Sequence, residues 1–335
     1  MFIVGSYTLA VALCIVTMLC WGSWGNTQKL AAKTWRYELF YWDYVIGIVL
    51  FSTLMAFTLG SMGDKGRSFI PDLMQISGSN FGSAFFGGII FNASNILLSA
   101  AISISGMAVA FPVGVGLALV LGVFINYFGA PAGDPVTLFT GVGLIMAALI
   151  FNGIAAGKMN KGEKGAAANK GIWISVVAGI LMSVFYRFVA AAVDLNNFEN
   201  PTPGMATPYT AVFIFSLGML ASNFIFNTLL MKKPFVGAPV SYSDYFKGGL
   251  STHAVGIFGG LIWGLGTSLS YIASGSAGAA ISYALGQGAT MVAALWGVFI
   301  WKEFKGADKT VNLLLVLMFL LFTAGLGFII VAGNH

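Results

Sequence analysis

Apolar stretches of membrane-spanning length recur about ten times along the chain, separated by short polar connections. A helix that crosses a hydrocarbon core about 30 Å thick needs roughly 20 residues, and each stretch reaches that length. The stretches contain glycine but lack the strict alternation of an outer-membrane barrel. The predicted helices, 1 to 10, occupy residues 3–24, 39–59, 81–103, 107–128, 136–156, 171–193, 208–231, 253–273, 278–301 and 310–331. The pattern predicts an all-α transmembrane protein.

The composition strengthens this prediction. Hydrophobic residues make up 58% of the chain and charged residues 8%, and the mean hydropathy is +0.89. No soluble core could enclose so many long apolar runs. Ten helices use almost all of the 335 residues, so we expect an integral membrane protein without a separate soluble domain.

The basic residues are distributed unevenly between the two sides of the predicted helices. Thirteen of the 16 Lys and Arg residues fall in the connections after helices 1, 5, 7 and 9, whereas the opposite connections hold only Lys65 and Arg67. Basic connections usually face the cytoplasm. We therefore expect a multi-pass protein of a bacterial-type inner membrane, with both termini outside. The net charge of +5 indicates contact with anionic lipid and not with nucleic acid, because no basic run is interleaved with aromatic residues.

The chain contains an internal repeat. Residues 87–116 align without gaps on residues 259–288, at a shift of 172 positions, and five glycines coincide. Helix 3 enters the membrane from outside and helix 8 from inside, so the two copies have opposite topology. We predict two inverted five-helix halves, 1–156 and 171–335, joined by a basic cytoplasmic linker at 157–170. Inverted repeats are the usual basis of alternating access, with the substrate near the midplane.

The repeated glycine pattern, which ends in GVFINYF at 122–128 and in WGVFIWKEFKG at 296–306, resembles the ten-helix drug/metabolite transporter superfamily. Within it the chain is most similar to the branch of glucose/ribose porters, the rhamnose transporter and the plant ureide permeases. The Tyr-Trp-Asp-Tyr segment at 41–44 resembles the aspartate-tyrosine that opens helix 2 of ureide permeases, and Asn-Tyr-Phe at 126–128 resembles the end of their helix 4. The resemblance implies a ten-helix transporter.

Polar side chains near the predicted midplane are candidates for the substrate site, because each is costly in lipid. Asn95 in helix 3 and Thr267 in helix 8 occupy matching positions of the repeat. At helical spacing each belongs to a stripe: Asn92, Asn95 and Ser99 on helix 3, and Trp263, Thr267 and Tyr271 on helix 8. An aromatic wall with amides suits a neutral polyhydroxylated or amide-bearing solute. Alternatively, these amides bond neighbouring helices.

Gln287 is a further candidate for substrate binding. It lies between Gly286 and Gly288 in helix 9, and Tyr283 precedes it by one turn. Glycines allow helices to approach closely, and a long amide there needs a partner. We therefore place Gln287 and Tyr283 in the predicted site.

Two further pairs of side chains have a structural and a functional interpretation. Trp21 and Trp24 end predicted helix 1, where tryptophan commonly anchors a helix at the interface; the alternative is a gate or a surface on which substrate stacks. Asn223 and Asn227 lie one turn apart on helix 7 and face one direction. They either contribute to the site or bond other helices.

Three ionisable residues inside the predicted helices are candidates for proton coupling or charge selection. Asp43 lies near the start of helix 2, and His253 begins helix 8 on the same side. Histidine titrates in the physiological range, although a lone interfacial histidine is commonly a surface residue. Arg187 lies in the outer third of helix 6 and either pairs with Asp194 or holds a substrate oxygen.

The remaining function classes are weaker. Helix 1 has no acidic residue, which disfavours a cation-exporting drug antiporter, and no nucleophile, aspartate pair or histidine cluster indicates an enzyme. We expect a secondary transporter that imports a small polar metabolite, with a sugar as the first choice, together with protons and without a cofactor. The alternatives are a ureide or nucleobase permease, or a broad-specificity drug/metabolite exporter. The sequence does not specify the oligomeric state.

Overall fold

The computed structural model describes residues 1–159 and 166–333, which are all-helical apart from loops and one isolated β-bridge between Val193 and Ala206. Within these described residues, ten helices are long and apolar enough to cross a membrane, which confirms the predicted fold class. They are α1 (Tyr7–Ala31), α2 (Tyr37–Phe57), α3 (Gly78–Ser105), α4 (Met107–Gly129), α5 (Pro135–Met159), α6 (Ala166–Ala191), α7 (Pro208–Lys232), α8 (Leu250–Ala277), α9 (Ala279–Ile300) and α10 (Lys309–Ala332). Two short helices, Phe69–Gln75 and Tyr242–Phe246, lie in the connections.

Local sequence signals explain where the long helices begin and end. Ser6, Ser77, Thr207 and Asp308 each accept a hydrogen bond from a backbone N–H of the first turn, at the starts of α1, α3, α7 and α10. Such caps satisfy donors that have no partner within the helix. The α3–α4 and α8–α9 boundaries are single glycines, Gly106 at φ 78° and Gly278 at φ 77°. Their positive φ is a conformation that other residues rarely adopt.

Helix α9 is not a continuous α-helix. It consists of Ala279–Gln287 and Ala289–Leu295 around Gly288, followed by a π-helical turn at Trp296–Ile300. Interruptions of this kind are tolerated inside a membrane where neighbouring helices supply partners, and they often mark functional segments. The interruption places Gln287 at the end of a helical segment.

Two of the predicted boundaries are wrong. The first helix continues from residue 24 to Ala31, because Asn26, Thr27 and Gln28 are buried against other helices instead of forming a loop. Trp21 and Trp24 therefore lie within the bundle, and the interfacial-anchor interpretation fails. The predicted linker 157–170 is also too long, since its residues 157–159 and 166–170 belong to α5 and α6. Residues 160–165 lie outside the described part of the chain.

The helices pack in a defined set of neighbours. α1 packs against α8, and α3 packs against α6. α4 and α9 lie against each other. α4 also packs against α6, and α9 packs against α1. On the flanks, α2 packs against α8, and α7 packs against α3. Close approach depends on small residues, as is usual in membranes: a Cβ at Gly87 of α3 would lie 2.7 Å from Val189 of α6. α5 and α10 form a separate contact, in which Gly141 faces the carbonyl of Gly325.

The two ends of the bundle differ in charge. We call the end with the α1–α2, α7–α8 and α9–α10 connections the basic face, and the other end the opposite face. The basic face carries Lys33, Lys232 and Lys233, all exposed. At the opposite face Lys65 pairs with Glu199. The connections that are rich in basic residues, predicted from the sequence to share one side, thus lie at one end of the described structure.

Candidate functional site

A small enclosed cavity lies at the centre of the bundle, between the α1/α8 pair and the α3/α6 pair. Its volume is ≈ 20 Å³, about the room of one water molecule, and α4 and α9 complete its walls. The lining residues are Trp21, Trp24, Phe91, Asn95, Leu98, Phe111, Val115, Met182, Phe185, Trp263, Gln287 and Ala289. Five of the residues predicted from the sequence are therefore brought together there: Trp21, Trp24, Asn95, Trp263 and Gln287.

The aromatic wall of the cavity is a stack of rings from three helices. Trp21 of α1 and Trp263 of α8 stack at 5.8 Å with an interplanar angle of 11°, and Phe91 of α3 stacks on Trp263 at 4.3 Å. The Trp21 Nε1–H donates to Thr267 Oγ1 at 3.1 Å. Thr267 is not among the lining residues, so its contribution is to orient the Trp21 ring.

Two amides, Asn95 and Gln287, supply polar groups to this wall from different halves of the chain. Asn95 Nδ2 donates to the hydroxyl of Tyr41 on α2 at 3.3 Å. Asn92, one turn earlier, is fully buried and donates to Ser222 Oγ on α7 at 2.9 Å. Asn92 is not among the lining residues, and its contact matches the alternative of an amide that bonds a neighbouring helix.

A layer of three fully buried tyrosines covers the cavity toward the opposite face. Tyr186 of α6 stacks on Tyr271 of α8 at 4.2 Å and lies 5.2 Å from Tyr283 of α9. The Tyr283 hydroxyl donates to the carbonyls of Ala118 and Met182. Tyr271 and Tyr283, predicted to contact substrate, are therefore parts of this seal and are absent from the cavity lining. A buried tyrosine hydroxyl usually has a hydrogen-bond partner, and here carbonyls of α4 and α6 serve as the partners of Tyr283.

The two asparagines of α7 do not reach the cavity. Asn227 Nδ2 donates to the carbonyl of Glu38 on α2 at 2.9 Å. Asn223 is fully buried, and neither of its amide atoms has a hydrogen-bond partner. Buried amides without partners are rare. Asn223 is nevertheless not assigned to the cavity, because α7 packs against α2 and α3 and neither asparagine is among the cavity residues.

Arg187 also lies away from the cavity. Its side chain lies against Gly129 at the end of α4. The predicted partner, Asp194, instead accepts hydrogen bonds from the backbone N–H of Thr202 at 2.9 Å and from its hydroxyl at 2.7 Å. Partial burial alone would raise the pKa of Asp194, but these hydrogen bonds outweigh it and lower that pKa. The predicted role for Arg187 at the substrate therefore lacks a geometric basis.

Asp43 and His253, far apart in sequence, are in direct contact near the basic face. His253 Nδ1 lies 2.9 Å from Asp43 Oδ2, and the Tyr245 hydroxyl donates to Asp43 Oδ1 at 2.6 Å. The Asp43 side chain is 2% exposed and that of His253 22%. Burial and the neighbouring carboxylate raise the pKa of Tyr245, so its phenol remains a donor. The rings of Trp35 and Tyr245 cover the histidine.

Two open pockets, which we call vestibules, lie at the two faces of the bundle. The vestibule at the basic face has a volume of ≈ 420 Å³ and includes Gln28, Ile102, Ser103, Gly106 and Met107. The vestibule at the opposite face has a volume of ≈ 220 Å³ and includes Ser274, Gly275, Gly278 and Ala279. The residues that α3 and α4 contribute to the basic-face vestibule correspond, at a shift of 172 positions, to the residues that α8 and α9 contribute to the opposite-face vestibule.

Several cavity residues escaped sequence reasoning. Phe91, Phe111 and Phe185 are apolar residues in apolar helices, so no contrast in the sequence distinguishes a cavity ring from a lipid-facing one. Tyr245, which bonds Asp43, lies in a connection, and its role depends on how that connection folds back onto α2. In the described segments, no group of three or more His, Cys, Asp or Glu residues could hold a metal ion.

Comparison of the sequence with known proteins identifies a family of relatives. A family model described as ureide permease matches residues 40–170 and 163–332. The chain is 23% identical to Ureide permease 1 of Arabidopsis thaliana across 100% of both proteins, and 24% identical to Ureide permease 5 of the same plant across 100% of this chain and 96% of the relative. Probable ureide permease A3 of Vigna unguiculata is 22% identical, across 90% of this chain and 96% of that protein.

A crystal structure of a protein at 15% identity superposes with a TM-score of 0.58 and covers 96% of each chain, which indicates a shared fold. The family model covers most of the chain, including nine of the ten membrane-length helices found among the described residues. The relatives are permeases and not enzymes. The chain therefore belongs to the ureide permease family of membrane transporters.

Proposed function

We propose that this transporter moves a small, flat, amide-bearing solute of the ureide or nucleobase type. The support comes first from the family model and the plant relatives, which carry the ureide permease name. Sugar import, the first expectation from the sequence, has no support among these relatives, and the ureide alternative fits them better. The proposal therefore replaces a sugar with a nitrogen-rich solute.

The chemistry of the cavity is the observation that carries this proposal. Its lining presents stacked rings, including Trp21 and Trp263, and two side-chain amides, Asn95 and Gln287. A flat solute with N–H and C=O groups along its edges stacks on the rings and pairs its edges with the amides. A sugar would bring several hydroxyls to the same lining, and each hydroxyl left without a partner costs about 1–3 kcal/mol.

We further propose that transport occurs by alternating access between two inverted five-helix halves. The packing partners support this, because α1–α8, α2–α8 and α4–α6 correspond to α6–α3, α7–α3 and α9–α1 when each helix number is advanced by five. Gly106 and Gly278, matched by the 172-residue shift, have closely similar backbone angles at opposite faces. The matching vestibules agree with the same arrangement. Inverted repeats of this kind place the substrate at the interface between halves.

We propose that protons drive accumulation through the pair of Asp43 and His253. A buried carboxylate is costly unless it is paired, and here its partners are an imidazole and a phenol. The pair joins α2 to α8, and α8 carries Trp263 of the cavity wall. Because His253 is partly exposed at the basic face, a proton can reach the pair from that side. Protonation of Asp43 would weaken the α2–α8 link.

The loop charges support a proposal for the orientation of the protein in its membrane. We propose that the basic face lies in the cytoplasm and that both termini lie outside an inner membrane, because thirteen basic residues favour one side. A drug exporter that takes cations is disfavoured, since the cavity lining among the described residues contains no carboxylate. The solute should be neutral.

Binding by purified protein tests the proposal. Thermal unfolding is measured with allantoin, uracil, glucose, ribose and rhamnose, each over a concentration series. A ligand at a hundredfold excess over its Kd stabilises the folded state by about 2.7 kcal/mol. We expect a concentration-dependent shift with allantoin or uracil and none with the three sugars. A shift with a sugar alone would contradict the proposed substrate class.

A further inference from the structure

A reciprocal pair of hydrogen bonds connects α1 to α3 at the inner end of the basic-face vestibule. Gln28 Nε2 donates to the carbonyl of Ser99 at 2.9 Å, and the Ser99 hydroxyl donates to Gln28 Oε1 at 2.7 Å. Gln28 is 3% exposed and Ser99 is fully buried. Gln28 lines the vestibule, whereas Trp24, one turn back along α1, lines the cavity. The Gln28–Ser99 pair therefore lies between the two spaces.

A corresponding contact connects α6 to α8 on the other side of the cavity. The Tyr186 hydroxyl lies 3.0 Å from Ser270 Oγ and 3.3 Å from the Ser270 carbonyl. Both residues are fully buried. Along α8, Ser270 lies between Trp263 of the cavity and Ser274 of the opposite-face vestibule. The Tyr186–Ser270 pair therefore separates the cavity from that vestibule.

The two contacts are distinguished by the helix pairs that they join. α1 packs against α8 and α3 packs against α6, so each contact joins one helix pair to the other, at opposite ends of the cavity. At the same end as Tyr186–Ser270, the Tyr271 hydroxyl of α8 also donates to the carbonyl of Tyr186 on α6, at 3.4 Å. The Ser94 hydroxyl, by contrast, acts within a pair: Ser94 Oγ of α3 donates to the carbonyl of Ala178 on α6 at 2.7 Å. Breaking a bond between the pairs lets them separate at that end, whereas breaking one within a pair does not.

We propose that Gln28–Ser99 and Tyr186–Ser270 are the two gates of this transporter, which open alternately at the basic and opposite faces. The described conformation has both gates closed and the cavity occluded. The inference rests on the proposed transport function, but it concerns side-chain contacts whose opening can be measured without any substrate. Loss of one buried hydrogen bond shifts such an equilibrium by roughly 2- to 13-fold.

Reaction of a cavity cysteine with a membrane-impermeant thiol reagent measures which gate is open. Val115→Cys, on α4 in the cavity wall, is made with Cys14→Ala and Cys20→Ala, since both native cysteines are free. Labelling rates are recorded from each face in right-side-out and inverted vesicles. We expect Gln28→Ala and Ser99→Ala to raise labelling from the basic face only, and Tyr186→Phe to raise it from the opposite face only.

Ser94→Ala is the matched control, because it removes a buried serine hydroxyl from the same helix as Ser99 but acts within the α3/α6 pair. It should leave both labelling rates unchanged. Tyr186→Phe keeps the ring stack on Tyr271, so its effect reports the hydroxyl alone. Equal labelling from both faces, or no change in folded Ser99→Ala and Tyr186→Phe proteins, would overturn the gate assignment. The labelling experiment uses no solute, so its result does not depend on whether the protein transports ureides.

Discussion

The carboxylate of Asp43 and the imidazole of His253 are in contact at 2.9 Å across the α2–α8 interface, although 210 residues separate them in sequence. Asp43 is the seventh residue of α2 and His253 the fourth of α8, so both lie close to the basic face. Together with Tyr245 they form a polar cluster apart from the cavity, beneath the short helix Tyr242–Phe246. Under the proposed coupling, a proton would bind at this cluster and a solute in the cavity, and the two sites would interact through α8.

Replacement of Asp43 by Asn tests the coupling role. Asp43→Asn removes the carboxylate but keeps its size, so we expect accumulation driven by a proton gradient to be lost. Exchange of labelled solute between equal pools should persist, because exchange moves no net proton. Gradient-driven accumulation at the wild-type level in folded Asp43→Asn protein would exclude the role.

The two cavity amides provide the second prediction. Asn95→Ala and Gln287→Ala each leave an amide edge of the solute without a partner, which costs about 1–3 kcal/mol. We expect each change to weaken binding by about 5- to 150-fold. The control is Asn126→Ala, because Asn126 is equally buried but bonds Gly122 within its own helix. Unchanged affinity in both cavity variants would move the solute site elsewhere.

The third prediction concerns the orientation of the Trp21 ring. Thr267→Val removes the hydroxyl that accepts from Trp21 Nε1, so the ring loses one fixed direction, and we expect affinity to fall by roughly 2- to 13-fold. Thr290→Val is a matched change at a buried hydroxyl that has no partner. That variant should bind normally and unfold at an equal or higher temperature. An equal loss of affinity in both variants would contradict the role of Thr267.

The fourth prediction concerns topology. Lys33 at the basic face and Asn197 at the opposite face are both exposed. Single cysteines at these positions, in protein lacking Cys14 and Cys20, should react with an impermeant thiol reagent from opposite sides. We expect the Asn197 position to react in intact cells and the Lys33 position only after the membrane is opened. The reverse pattern would invert the proposed orientation.

The sequence predicts the ten helices well, because long apolar runs carry a strong signal that does not depend on tertiary context. It misplaced the end of α1, since Asn26, Thr27 and Gln28 resemble a loop unless their buried partners are known. For the same reason, the sequence left open whether Trp21 and Trp24 anchor the helix at the interface or face the substrate, whereas both line the cavity.

Side-chain roles were harder to predict than helices. Asn92, Asn95 and Ser99 share one predicted face of α3, yet their side chains have different neighbours. Asn92 bonds α7, Asn95 lines the cavity and Ser99 bonds α1. A helix has several neighbours, and small differences in direction decide which neighbour each side chain contacts. The contact between Asp43 and His253 likewise depends on how α2 packs against α8, which neither local pattern specifies.

Uptake into proteoliposomes tests the central claim most directly. Purified protein is reconstituted, and uptake of labelled allantoin, uracil, glucose, ribose and rhamnose is measured with and without an inward proton gradient. Liposomes without protein provide the background. The account predicts that allantoin or uracil accumulates above the equilibrium level only with the gradient, and that the three sugars do not. Accumulation of a sugar, with neither allantoin nor uracil transported in either condition, would contradict it.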